Sequence, residues 1–128
     1  MRCPMKPARA WLAAFAVPAL VLFASGCGTG KRTRAEHGRI DLVMREYRLA
    51  PQRLEASAGR LVVSARNRGV LEHRLAIGRG RFALARSGTV PPGGAATLTV
   101  RLPPGRYRLF CTLSNHDTLG MYGSLVVR

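Results

Sequence analysis

A single segment near the C-terminus carries three side chains that bind soft metal ions. Cys111, His116 and Met121 follow one another at intervals of five residues, in the stretch Cys-Thr-Leu-Ser-Asn-His-Asp-Thr-Leu-Gly-Met. Strand-like patterns precede and follow this stretch, so we expect it to be a loop between two strands. Such a loop can fold back so that the thiol, the imidazole and the thioether converge on one point.

Three donor atoms need a fourth, and His73 is the candidate. It alternates with Leu75 and Ile77, so we expect these three side chains to share the inward face of a strand. Two imidazoles, a thiolate and a weak thioether are the ligand set of blue-copper electron-transfer sites. Each residue also has an ordinary explanation: a core histidine, a loop histidine, or a methionine that fills a gap.

The first 26 residues have the features of an export signal. They combine three cations with an apolar run over residues 11–23, which is too short to cross a membrane as a helix. The following Ala24-Ser-Gly-Cys27 resembles a bacterial lipoprotein signal, and this resemblance implies that Cys27 is lipidated after cleavage. Ordinary cleavage nearby, with Cys27 left as a free thiol, is the alternative.

The three cysteines are thereby accounted for without a disulfide. Cys3 is removed with the signal and Cys27 carries the lipid, so Cys111 has no partner. An unpaired thiol in an oxidising compartment is usually avoided or given a task, and metal binding is such a task.

The exported chain divides into a short tether and one domain. Residues 27–38 are polar, contain glycine and lack periodicity, so we expect a tether in which His37 is a solvated linker residue. Residues 39–128 are expected to form the folded domain, which is long enough to fold alone. Removal of residues 1–26 takes away three cations and no anion, so the formal charge falls from +15 to +12.

The domain has a period-two pattern broken by turn signals, with no helical stripe. We expect residues 78–95, which are rich in Gly, Arg and Pro, to be irregular and to be pinned by Phe82 and Leu84. This spacing of strands and turns predicts an all-β sandwich or barrel of six to eight strands. The predicted strands cover residues 40–51, 60–66, 72–77, 98–102, 107–111 and 125–127.

Residues 39–128 resemble the cupredoxins, the plastocyanin- and azurin-like domains that bind one type 1 copper. The matching segments are Asn67-Arg-Gly, Glu72-His73, Tyr107-Arg-Leu-Phe-Cys111-Thr112, His116, Gly120-Met121 and Gly123-Ser-Leu-Val-Val. The resemblance implies a Greek-key β-sandwich and one copper ion that alternates between Cu(II) and Cu(I). It places the metal ligands at His73, Cys111, His116 and Met121.

Residues around the ligands acquire expected roles from the same resemblance. Asn67 and Thr112 are expected to support the site, although turn chemistry explains Asn67 equally well. The loop histidine of cupredoxins reaches the surface and passes the electron, so His116 is the expected exit. Its expected surroundings, which could equally be ordinary core or cap residues, are Leu113, Leu119 and Tyr122.

The chain contains 19 Arg among its 21 cations, and they are spread along strands and turns rather than clustered. One interpretation is a solvated coat; the other is docking to an acidic redox partner or to anionic lipid. Nucleic acid is excluded as a partner, because the domain is exported and lacks aromatic platforms for bases.

The leading hypothesis is a monomeric electron carrier that exchanges single electrons with redox proteins of the cell envelope. It would lie at the outer face of the cytoplasmic membrane or in the periplasm, anchored through Cys27. The alternative is a lipoprotein that delivers copper to an oxidase without carrying current. An enzyme is not expected, because no acid–base set and no His-x-His pairs are present, and a metal-free sandwich for adhesion or assembly is the remaining possibility.

Overall fold

The computed structural model describes residues 30–128, which form a sandwich of two β-sheets. The predicted signal peptide 1–26 and Cys27 lie outside the described residues. Within 30–128 there is no helix long and apolar enough to cross a membrane. The strands are β1 Thr33–Arg34, β2 Arg39–Arg45, β3 Arg48–Ala50, β4 Arg53–Ala56, β5 Gly59–Asn67, β6 Leu75–Arg79, β7 Phe82–Arg86, β8 Ala95–Leu102, β9 Gly105–Cys111 and β10 Tyr122–Val127.

The two sheets have six and four strands. Their orders are β1-β4-β10-β9-β6-β7 and β3-β2-β5-β8. Pairing is mixed: β1 with β4, β4 with β10 and β2 with β5 are parallel, whereas the other neighbours are antiparallel. The predicted all-β sandwich is therefore confirmed.

Alternation along the strands builds the core between the sheets. In β5, Leu61, Val63 and Ala65 are buried and their neighbours are more exposed. β9 contributes Tyr107 and Leu109 in the same way. Because successive side chains of a strand point to opposite faces, each strand gives one apolar row to the core.

The observed strands differ from the predicted ones in four places, of which three lie between residues 33 and 56 and the fourth is described below. The strand predicted over residues 40–51 is a hairpin, in which β2 and β3 pair antiparallel. β4 was not predicted, and it lies parallel to β10. β1 falls within the segment expected to be a tether, where Thr33 pairs with Leu54. Short strands of two to four residues carry too few alternating positions to be recognised by period.

The irregular segment expected over residues 78–95 contains a strand, β7, at the edge of the larger sheet. The prediction that Phe82 and Leu84 pin this segment is wrong, because their exposed fractions are 83% and 60%. Ala85 packs against the core instead. Backbone pairing with β6 holds the segment, so it needs little apolar burial.

One end of the sandwich gathers the candidate ligands. β9 ends at Cys111, which pairs with Leu75 at the start of β6. His73 lies two residues before that strand and forms an isolated bridge with Val90. The loop between β9 and β10 returns at the same end, where the Cys111 N–H donates to the Met121 carbonyl at 3.1 Å.

Candidate metal centre

Three of the four predicted ligand side chains converge at this end of the sandwich. His73 Nδ1 lies 3.3 Å from His116 Nδ1 and 4.0 Å from Cys111 Sγ. Cys111 Sγ lies 3.5 Å from His116 Nδ1. All three residues are buried, and their donor atoms form the metal-binding group found among residues 30–128.

These separations fit one metal ion between the three donors. Nitrogen and sulfur donors bind transition metals at about 2.0–2.3 Å, so three donors spread around one ion lie ~3.5–3.8 Å apart. The observed values of 3.3, 3.5 and 4.0 Å bracket this range. Two imidazoles and one thiolate in a trigonal arrangement are the donor set that proteins use for blue copper.

The loop between β9 and β10 is held by its own backbone hydrogen bonds. The His116 N–H donates to the Leu113 carbonyl at 3.2 Å, and the Met121 N–H donates to the His116 carbonyl at 3.0 Å. The Arg74 N–H points at Cys111 Sγ at 3.5 Å. This N–H therefore lies within hydrogen-bonding reach of the sulfur that is the proposed metal ligand.

Met121 is fully buried beside this group. Its peptide is joined to two ligand residues, because its N–H bonds to His116 and its carbonyl accepts from Cys111. Its place in the chain is therefore fixed at the site, and its thioether as a fourth ligand stays a prediction.

Glu46, which the sequence analysis did not single out, contacts the site from the turn between β2 and β3. Its Oε1 lies 3.2 Å from His73 Nε2. The same oxygen accepts the N–H groups of Val70 and Leu71 at 2.9 and 2.8 Å. Glu46 lies 27 residues from His73, and no local pattern connects the two.

The charge states of this pair follow from their surroundings. The Leu71 N–H is the main cause of a lowered pKa for Glu46, and it outweighs the partial burial of the carboxylate. Burial lowers the pKa of His73, although the carboxylate of Glu46 acts in the opposite direction. We infer a neutral imidazole that donates its Nε2 proton to a carboxylate, which leaves the Nδ1 lone pair directed at the group of donors.

Tyr47, the next residue in the turn, contacts the other histidine. Its ring centroid is 4.9 Å from that of His116, at an interplanar angle of 62°. This is an edge-to-face contact, the arrangement that aromatic rings prefer. Two consecutive turn residues thus each contact one candidate ligand.

The two expected supporting residues behave differently. Asn67 is buried; its Nδ2 donates to the carbonyls of Leu71 and Val90, at 2.8 and 3.0 Å, and its Oδ1 accepts from Gly69. It therefore ties together the segments that flank His73. Thr112 Oγ1 is buried and has no hydrogen-bond partner among residues 30–128.

The residues of the expected exit surface differ in their exposure. His116 is 9% exposed, and Leu119 and Tyr122 are exposed, but Leu113 packs against the core. Asp117, which follows His116, pairs with Arg108 at 3.4 Å. Three further apolar residues on segments that contact the site are exposed, and no pattern in the sequence indicated them: Tyr47, Val70 and Leu71.

Comparison with solved structures agrees with the two-sheet fold. The chain is similar to solved structures of auracyanin from Roseiflexus castenholzii (21% identity, TM-score 0.66, 73% of this chain and 98% of that one). It is similar to auracyanin A, described as a "blue" copper protein, from Chloroflexus aurantiacus (19% identity, TM-score 0.64, 75% and 100%). It is also similar to rusticyanin from Thiobacillus ferrooxidans (18% identity, TM-score 0.61, 78% and 86%).

No curated protein sequence matches the chain significantly. The family model described as "Cupredoxin-like domain" matches residues 12–127, which is most of the chain. The two-sheet sandwich and the buried group of two histidines and a cysteine agree with this match. The chain belongs to the cupredoxin-like domain family.

Proposed function

We propose that this protein is a mononuclear type 1 copper protein that carries single electrons between redox proteins of the cell envelope. The observation that carries the proposal is the buried group of His73 Nδ1, Cys111 Sγ and His116 Nδ1, whose atoms lie within 4.8 Å of one another. The family and the description of auracyanin A as a "blue" copper protein support the same assignment.

Copper fits this donor set better than zinc does. Structural zinc sites use four strong nitrogen or sulfur ligands in a tetrahedron, whereas this group offers three, and the proposed fourth ligand, the thioether of Met121, is a weak one. Thiolate and thioether favour Cu(I), and imidazole serves both oxidation states. His73, Cys111 and His116 would bind the ion, with the thioether of Met121 as a weak additional ligand.

The scaffold supports electron transfer rather than chemistry on a bound substrate. A bound copper supplies a single-electron redox couple, and the protein contributes donor atoms that strands and hydrogen bonds already hold together. Little has to move when the electron arrives or leaves. Burial of all three donors also opposes easy release of the metal, which disfavours delivery of copper to another protein.

His116 is the proposed point of electron exchange. It is the proposed ligand in the loop between β9 and β10; its ring contacts that of the exposed Tyr47, and the exposed Leu119 follows three residues later in the chain. Exposed apolar groups around a redox centre suit a transient partner contact. Because residues 27–128 carry 18 cations and 6 anions, an acidic redox partner is the expected one, and the protein itself is proposed to act as a monomer.

Export and anchoring through Cys27 complete the proposal. The support lies in the sequence, where three cations, an apolar run and Ala24-Ser-Gly-Cys27 follow one another. The anchored domain would lie on the outer face of the cytoplasmic membrane or in the periplasm.

Copper titration of the purified protein tests the central assignment. One equivalent of Cu(II) should produce an intense visible thiolate-to-copper charge-transfer band, and Cys111→Ser should abolish it. Cys27→Ser is the matched control, because it makes the same change at a cysteine that is not a proposed ligand, and it should leave the band intact. A colourless wild-type protein, or a band that survives Cys111→Ser, would contradict the proposal.

The same proteins separate electron transfer from copper delivery. A carrier should give a reversible one-electron wave in voltammetry and keep its copper when mixed with a metal-free copper acceptor. Loss of copper to the acceptor without reversible cycling would favour delivery. Fractionation of cells that express Cys27→Ser tests the anchor, since the wild type should be in the membrane fraction and the variant should not.

A further inference from the structure

We propose that Glu46 is a positioning residue of the copper centre: its carboxylate fixes the ring of His73 and lowers the reduction potential of the metal. The inference rests on the proposed copper function and goes beyond the ligand set. It follows from the position of Glu46 in the turn between β2 and β3, where its Oε1 lies 3.2 Å from His73 Nε2.

The contact determines which nitrogen of His73 is available. A carboxylate can only accept, so the proton of the neutral ring lies on Nε2 and the lone pair lies on Nδ1. Nδ1 is the atom that faces Cys111 Sγ and His116 Nδ1, at 4.0 and 3.3 Å. A carboxylate behind a ligand histidine holds its tautomer and orientation and makes the ligand nitrogen more basic.

The carboxylate is itself held in place. Glu46 Oε1 also accepts the Val70 and Leu71 N–H groups, at 2.9 and 2.8 Å. The backbone at Gly69 runs so close to this carboxylate that a Cβ there would collide with it. Asn67 Oδ1 accepts the Gly69 N–H at 2.9 Å and Asn67 Nδ2 donates to the Leu71 carbonyl at 2.8 Å, so the segment wrapped around the carboxylate is held at both ends.

A fixed negative charge next to one ligand acts differently on the two oxidation states. Cu(II) carries one more positive charge than Cu(I), so the carboxylate of Glu46 stabilises Cu(II) more. His73 is fully buried, and charge interactions are stronger where water is excluded. The expected result is a lower potential than the same ligands would give beside a neutral acceptor.

The test is Glu46→Gln, compared with Glu72→Gln. The first variant keeps an acceptor oxygen of similar reach and removes the charge. The second removes the same charge from an exposed residue adjacent to His73, without the hydrogen bond to the ring. For Glu46→Gln we expect Cu(II) affinity to fall 10–100-fold, the usual cost of losing a partner behind a metal ligand. Cu(I) affinity should change less.

The reduction potential should rise accordingly in Glu46→Gln. Each tenfold loss of Cu(II) affinity that Cu(I) does not share corresponds to about 59 mV for a one-electron couple. Glu72→Gln should shift the potential much less, because water screens an exposed charge. Equal potentials in Glu46→Gln and wild type, or equal shifts in the two variants, would overturn the proposal.

A second measurement separates positioning from a general effect on folding. The ring nitrogens of His73 can be observed by NMR in the metal-free protein, where we expect the proton on Nε2 in the wild type and a mixture of tautomers in Glu46→Ala. Thermal unfolding of the metal-free variants shows whether each one is folded. An unchanged tautomer in folded Glu46→Ala would overturn the role of the carboxylate.

The metal-free measurement also keeps this inference distinct from the proposed function. If the wild-type protein forms no blue copper centre while the tautomer of His73 still depends on Glu46, the function fails and the positioning contact stands. If the blue centre forms and neither its potential nor the tautomer responds to Glu46, the function stands and this inference fails.

Discussion

At the scale of single residues, every candidate ligand is held by a contact with another residue of the protein. Glu46 bonds to the ring of His73, and Tyr47 packs against the ring of His116. The Cys111 and Met121 peptides are bonded to each other, and Met121 is buried. Because these contacts are made by protein groups alone, they reduce the part of the metal-binding free energy that would be spent on ordering the ligands.

The prediction at this scale concerns Met121, whose thioether is the proposed weak fourth ligand. Met121→Leu keeps the volume of a fully buried side chain and removes the sulfur. The apolar side chain that replaces the thioether disfavours the more highly charged Cu(II), and this outweighs the loss of a soft donor to Cu(I). The blue band should therefore persist while the potential rises by on the order of 60 mV, a tenfold preference. Voltammetry and visible spectra of the copper-loaded variant provide the measurement.

Met44→Leu is the control, because Met44 is also fully buried and lies in the core cluster. It should leave the reduction potential unchanged. In the metal-free state, the free energy of unfolding of both variants should lie within about 1.5 kcal/mol of the wild-type value. A potential for Met121→Leu equal to that of Met44→Leu would mean that the thioether is not a ligand.

At the scale of strands, the sequence predicted the long elements well and the short ones poorly. β5 and β9 bury alternate residues, and this period is readable in a sequence. β4 has four residues and buries only Leu54 and Ala56, and β7 exposes its two largest apolar side chains, so neither presents a long inward apolar row. Pairing with neighbours, which depends on the tertiary fold, creates those strands.

The same distinction explains what was foreseen of the site. Cys111, His116 and Met121 are recognisable because their spacing is local, and His73 because it alternates with core residues. The contact between Glu46 and His73 depends on how the β2–β3 turn packs over another segment, 27 residues away in sequence. Interactions of this kind leave no periodic trace in a single sequence.

The irregular pairing of β6 and β7 gives the prediction at this scale. The register shifts between Ile77 and Gly78, and a Cβ at Gly78 would collide with the carbonyl oxygen of Phe82. The colliding atom belongs to the backbone, so Gly78→Ala should force the strands apart and cost about 1–3 kcal/mol of unfolding free energy. Gly88→Ala is the control, since open space surrounds that position, and it should stay within about 0.5 kcal/mol of wild type. Denaturant unfolding gives both values, and equal stabilities would contradict the close approach.

At the scale of the whole molecule, the charge is unevenly arranged with respect to the site. Three of the six acidic residues of the chain border the candidate ligands: Glu46 bonds to His73, Glu72 precedes it and Asp117 follows His116. Asp117 is in turn paired with Arg108. Arginines lie there too, since Arg74 follows His73, so a partner that approaches His116 experiences a strongly cationic molecule from a distance and charges of both signs at contact.

This arrangement predicts how the rate of electron exchange depends on salt. The Debye length is about 30 Å at 0.01 M ionic strength, so the full charge of +12 on residues 27–128 acts on a partner, whereas at 0.15 M it is about 8 Å and only nearby groups act. Oxidation of the Cu(I) protein by an anionic complex such as ferricyanide should therefore slow as salt is added, and oxidation by a cationic cobalt complex should accelerate. Stopped-flow rates across this range measure both slopes, and at 0.15 M the charge of the oxidant should matter far less. If the two oxidation rates depend on salt in the same way, electrostatic steering by the arginines is excluded and they form only a solvated coat. Opposite dependences on salt would support the proposed acidic partner.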